Sequence, residues 1–143
     1  MVKPGYDISR IEGEITATLR AADPYGLVEA SVLAMGSLLK SNQDSAYWEA
    51  RCLAFAGSSR NDLLARFWVE LLYNLRHDQI NVVTATVVEF SESKLVVECF
   101  FSTEFTPGAL LLGLEWLKGS ISVPVFAELE EGWVASVVWK SAV

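Results

Sequence analysis

The stretch Ser59–His77, SRNDLLARFWVELLYNLRH, limits what this chain can fold into more than any other. Leu63, Leu64, Phe67, Trp68, Leu71, Leu72 and Leu75 recur at the helical period and make one wide apolar stripe. Asp62, Arg66, Glu70 and Asn74 fall four apart on the other side. Ser59 is placed to cap the first free N–H groups, and Asp62 takes the acidic position of a shortened capping box. Arg76 and His77 put positive charge where the helix dipole favours it. A stripe carrying Phe, Trp and five Leu has to be covered, so the expected element is a core helix against a sheet or a second helix. The alternative is a helix whose stripe serves a partner.

At 143 residues the chain is long enough for a domain with its own core, and 1–143 reads as one domain. A composition 52% hydrophobic and 11% aromatic excludes global disorder. The formal net charge is -7 and no run of Lys and Arg interrupts it. That argues against direct contact with nucleic acid and leaves a protein partner as the expected kind. The first residues, MVKPGYDIS, hold no apolar signal region, and every apolar run falls short of the ~20 residues a membrane helix needs. The expectation is a cytoplasmic protein with no membrane attachment. Cys52 and Cys99 each sit in an apolar, strand-like run. They read as one disulfide or as two buried free thiols, and a reducing compartment favours the thiols.

Along the chain, Glu14–Arg20 alternates as a half-buried strand, with Ile15, Ala17 and Leu19 on its apolar face. Asp23-Pro24 opens a helix running to about residue 40, with Leu27, Val28, Ser31, Val32, Met35, Leu38 and Leu39 on one face. Tyr47–Ala56 reads as a strand before the central helix. Gln79–Phe90 and Lys94–Ser102 read as a hairpin after it. Ala109–Lys118 reads as a short helix between Thr106-Pro107 and Gly119. Ser120–Leu129 and Trp133–Lys140 form a last hairpin, and Pro124 places its first strand at an edge or a bulge. The expected fold is an α+β sandwich, two helices on one face of a mostly antiparallel sheet.

Motifs for catalysis are sparse. His77 is the one histidine and reads as a helix-end residue. No Gly-rich phosphate loop, CxxC or HExxH is present. Glu128, Glu130 and Glu131 cluster at a hairpin turn as solvated charges.

Several stretches resemble the archease family. Gly5-Tyr6 is followed, at the family spacing, by Ile11-Glu12-Gly13-Glu14-Ile15, where archeases carry His-Thr-Ala-Asp-Ile. Asp23–Val32 lies on the family's first helix. Leu63-Leu64, Trp68 and Glu70-Leu71-Leu72-Tyr73 match its second, and Gly132-Trp133-Val134-Ala135-Ser136-Val137-Val138 fits its terminal Gly-Trp-x-Ala-x-Val-Val. The resemblance implies a small accessory protein that activates a tRNA-splicing RNA ligase, so that the protein partner would be an RNA ligase. It also implies a divalent metal such as calcium, with Glu14 on the family's metal-binding aspartate. The other positions depart from the pattern: Ile11 falls on a histidine, Val123 near the second histidine, Ser59 near an acidic residue and Lys140 on an aspartate. A hard cation needs several oxygen ligands, and a lysine repels it. The expected function is therefore a non-enzymatic accessory protein that works without a cofactor. The alternatives are an orphan binding module of the same fold and, least supported, a small enzyme with Glu14 as general base. Where the metal would lie, Glu14 and Lys140 are expected to approach each other as an ion pair.

Overall fold

The computed structural model describes residues 3–11, 13–39, 49–103 and 121–140. The elements in chain order are β1 (Gly5–Ile11), β2 (Glu14–Ala21), α1 (Pro24–Leu39), β3 (Glu49–Ala56), α2 (Arg60–Tyr73), β4 (Asn81–Phe90), β5 (Lys94–Ser102), β6 (Ile121–Leu129) and β7 (Gly132–Lys140). The strands form two antiparallel sheets, ordered β1-β2-β7-β6 and β3-β5-β4. The fold is an α+β sandwich. The helix expected at Ala109–Lys118 lies outside the described residues, as do Tyr47 and Trp48 at the start of the third expected strand.

The expectation of one sheet is refined to two. Alternation along a strand shows which face is buried, but does not name the neighbouring strand. Each helix touches both sheets: α1 meets β1, β2 and β7 of one and β4 of the other, and α2 meets β6 of one and β3, β4 and β5 of the other. Both helices cover the same face of the four-stranded sheet. On that face Ile15, Ala17 and Leu19 of β2 lie opposite Trp139, Val137 and Ala135 of β7, all fully buried. The other face of β2 carries Glu14, Thr16, Thr18 and Arg20, each partly exposed or exposed. β1 was not read as a strand from the sequence. Its Tyr6 and Ile8 pack against the core beside Leu19 and Ala17.

The α2 stripe is in the core as expected: Leu63, Leu64, Phe67, Trp68, Leu71 and Leu72 are buried, and Leu75 packs against them half-buried. Ser59 caps the helix by accepting a hydrogen bond from the Asp62 N–H at 3.3 Å. The Asp62 carboxylate pairs forward with Arg66 at 3.1 Å. The helix ends differently from its sequence pattern. Residues Asn74–Asp78 widen into a π-turn that closes on Gln79, whose φ is 55°. Asn74, the first residue of this turn, is buried instead of lying on the polar side, and its Oδ1 accepts from Arg51. His77 remains exposed on this turn, its ring stacked on Tyr73 at 4.2 Å.

Asp23 caps α1 as read, its Oδ1 accepting from the Gly26 N–H at 2.8 Å. Gly26 is required, because a Cβ there would lie 2.5 Å from that of Ala21. Pro124 satisfies both of its readings: β6 is an edge strand, and its register with β7 shifts between Ser122 and Val125. Gly132, at φ 144°, closes the β6–β7 turn where a Cβ would meet the Ala21 carbonyl oxygen at 2.5 Å.

Two substitutions test this core. Leu71→Ala is expected to destabilise by about 2–5 kcal/mol in chemical denaturation, from lost burial and the cavity left behind. Ser31→Ala leaves the buried Trp68 Nε1–H, now bonded to Ser31 Oγ at 2.9 Å, without an acceptor. It is expected to cost about 1–3 kcal/mol although it removes a single oxygen.

Candidate functional site

Glu14 and Lys140 are register partners on β2 and β7, with carboxylate and ammonium 3.9 Å apart. Both side chains are well exposed, 44% and 68%. The expected approach is thus present. The implied metal does not fit this place, since an ammonium group stands beside the only carboxylate of the pair. Among the described residues no three His, Cys, Asp or Glu side chains come together in a way that would hold an ion.

Of the other positions implied by the resemblance, Ile11 is the register partner of Glu14 on β1, whereas Val123 and the residues around Ser59 come together elsewhere. Asn61 donates from Nδ2 to the Val123 carbonyl at 3.4 Å, which ties the start of α2 to β6. Ser59 and Asn61 line a pocket of about 440 Å³ with Ser58, Arg60, Glu92, Pro124, Phe126 and Trp133. Trp133 is the second residue of β7 and Lys140 its last, so seven residues of strand, about 23 Å, separate this wall from the ion pair. Glu14 and Ser59 therefore belong to different places on the molecule.

The pocket has an aromatic side and a cationic side. Phe126 packs on Trp133 with centroids 5.7 Å apart and meets Phe90 edge-on at 6.1 Å. The Arg60 guanidinium sits 5.8 Å from the Phe90 ring and donates from Nη2 to the Phe90 carbonyl at 3.4 Å. Its Nε is buried and has no hydrogen-bond partner among the described residues.

Sequence reasoning missed a second polar centre. Arg51 points inward from β3, on the face of Cys99 and over the Phe101 ring at 5.8 Å. It donates to Asn74 Oδ1 at 2.9 Å and to Asp78 at 2.7 Å, and it pairs with Glu49. The hydrogen bonds to Asp78, then Glu49, raise its pKa. The signal was the charged residue amid the alternating run EARCLAFA. Arg51 fastens the π-turn to β3.

A second groove, about 400 Å³, runs beside α2 between Phe55, Ala65, Val69 and Ile121, with Asp62, Arg66 and Glu70 at its rim. Val69 and Tyr73 on this helix are each 51% exposed.

Both cysteines are free, but only Cys99 is buried. Cys52 lies opposite Glu98, and Cys99 lies opposite Arg51. Neighbouring strand positions face opposite ways, so the two thiols stand on opposite sides of the sheet. This corrects the expectation that both are buried. It also excludes a disulfide between them in this fold. Burial pushes the Cys99 thiol up to about 12, with a smaller contribution from Cys52.

With the geometry established, the chain can be set beside known proteins. In fold it is similar to a protein of Methanobacterium thermoautotrophicum. That protein, number 1598, has a solution structure that superposes with a TM-score of 0.67 over 95% of this chain and 98% of the other. The identity is 14%, so what the two share is the fold. No protein-family model matches this chain, and no curated protein matches it. No helix among the described residues is long and apolar enough to cross a membrane.

The thiols give a test of this arrangement. Cys52 is expected to react with a thiol reagent in the native protein, and Cys99 only after unfolding. Cys99 has a folded pKa, about 12, above its ordinary 9.0. Its contribution to stability is complete below pH 9 and is lost as pH rises towards 12. Denaturation midpoints measured across this range are expected to fall more steeply for the natural chain than for Cys99→Ala.

Proposed function

We propose that this chain is a non-enzymatic accessory protein of the archease type, acting by docking on a protein partner, an RNA-splicing ligase. The observation that carries the docking is the outer side of α2, where Val69 and Tyr73 stand half exposed beside the apolar groove of Phe55, Ala65 and Ile121. Contiguous exposed apolar surface with a polar rim is characteristic of protein contact sites. The rim carries Asp62 and Glu70 against Arg66, and the chain as a whole carries -7. Such a surface suits a partner whose own surface is basic, as that of an RNA-binding enzyme is. The residue-by-residue resemblance of both helices and the last strand supports the archease type. The fold shared with protein 1598 is consistent with it.

A second reading is an orphan binding module of the same fold that has lost the ligase role, in the cytoplasm in either case. The Glu14–Lys140 pair favours it, because the ion pair occupies the strand positions where the resemblance implies metal carboxylates. On both readings the protein works without a resident metal.

The deciding experiment is a multiple-turnover ligation assay with the RNA-splicing ligase of the same cell, with and without this protein. The accessory reading expects stimulation that Val69→Glu abolishes while the melting temperature stays unchanged. Binding without stimulation selects the orphan module, and neither binding nor stimulation rejects both. In calorimetric titration with calcium, magnesium and manganese, no saturable binding that depends on Glu14 is expected. Micromolar binding lost in Glu14→Gln would reinstate the carboxylate as a ligand.

A further inference from the structure

The pocket at the start of α2 differs from the rest of this acidic molecule. Of its eight lining residues, Arg60 is the one cation and Glu92 the one carboxylate; the remainder are hydroxyl, amide, proline and aromatic side chains. At about 440 Å³ it falls within the range of small-molecule sites, roughly 300–1,000 Å³. We propose that it binds a small aromatic anion of mononucleotide size, its ring against Phe126 and Trp133 and its anionic group at Arg60.

Three features argue for that chemistry together. The first is an aromatic wall that already packs as a unit: Phe90 on Phe126, and Phe126 on Trp133. Phe126 and Trp133 are each only partly buried and line the pocket, so a planar ring has a surface to stack on. The second is the fixed position of Arg60. Its guanidinium is held over the Phe90 ring and tied through Nη2 to the Phe90 carbonyl, which fixes the charge at the pocket wall. A guanidinium held in place in this way is pre-organised for a carboxylate or phosphate. The third is hydrogen-bonding capacity in the adjoining backbone. The Asp62 N–H is taken by Ser59 Oγ and the Leu63 N–H by the Ser59 carbonyl. The Arg60 and Asn61 amides precede the first intrahelical bond, at the helix end that suits an anion.

Glu92 opposes such an anion from the rim, which sets the sign of one test. The inference is independent of the ligase reading, because it concerns the isolated protein.

The natural chain would be titrated calorimetrically with AMP, with adenosine and with inorganic phosphate. AMP is expected to bind at least about ten-fold more tightly than either fragment, since only AMP uses both walls of the pocket. Arg60→Met is expected to weaken AMP by about ten-fold or more and to leave adenosine unchanged. Glu92→Gln is expected to tighten AMP, and Trp133→Leu to weaken AMP and adenosine alike. On adding AMP to the natural chain, the Trp133 indole N–H resonance should shift. If Arg60→Met does not fold, the Glu92 and Trp133 variants and the resonance shift decide the matter. The proposal is overturned if AMP shows no saturable binding at millimolar concentration. It is equally overturned if phosphate matches AMP, which would mean an anion site without a ring site. An Arg60→Met protein that folds and binds AMP as before would also overturn it.

Discussion

The side chain of Trp68 joins both helices to the four-stranded sheet. Its indole N–H donates to Ser31 Oγ on α1, and its ring lies 5.4 Å from that of Trp139 on β7. Ser31 in turn donates to the Leu27 carbonyl one turn back, so its hydroxyl both donates and accepts. All of these groups are completely buried. In a dry interior a hydrogen bond of this kind fixes position more sharply than apolar contact alone, because every displaced arrangement leaves a buried donor unpaired. The bond sets the register of α2 against α1, and the ring contact sets both against the four-stranded sheet. Trp139 has no comparable bond among the described residues, where its Nε1 is buried without a partner. The polar constraint thus lies between the helices, and the sheet contributes shape.

Once α2 is fixed, its two ends do different work. The N-terminal end is capped by Ser59 and leans on β6 through Asn61, which leaves open a recess bordered by Trp133. The C-terminal end widens into a π-turn that Arg51 holds from β3 through Asn74 and Asp78. Between them the outer face of the helix stays partly apolar, with Val69 and Tyr73 exposed. A helix whose inner stripe is fully committed to the core can present such residues outward without loss of packing.

Much of this was legible in the sequence because short-range rules govern it. The α2 stripe, the Ser59 cap, the Asp23 cap of α1 and the Pro124 bulge each follow from residues within a few positions of one another. The Glu14–Lys140 pair is long-range, and it was legible only because the resemblance supplied an alignment between strands distant in sequence. The division into two sheets was not legible, since pairing partners leave no mark on alternation. The exposure of Cys52 was missed for a related reason. EARCLAFA is apolar enough to suggest burial on both faces, yet β3 is an edge strand covered on one. The pocket at Arg60 was missed because its walls come from α2, the β4–β5 turn and the β6–β7 hairpin.

β7 measures how far these places are independent. Its first half carries Trp133 beside the pocket, its middle carries Ala135 and Val137 in the core, and its last residue carries the ion pair with Glu14. Electrostatic coupling across about 23 Å is small when both ends meet solvent, because salt screens exposed charges beyond about 8 Å. The charge of residue 140 at one end therefore changes little at the other. An exposed pair of this kind is worth only about 0–1 kcal/mol, so the fold does not depend on it either. The strand end where the resemblance implies a metal can thus change its chemistry while the core, the apolar side of α2 and the arginine pocket stay as they are. Activities built on those three features need no ion at Glu14.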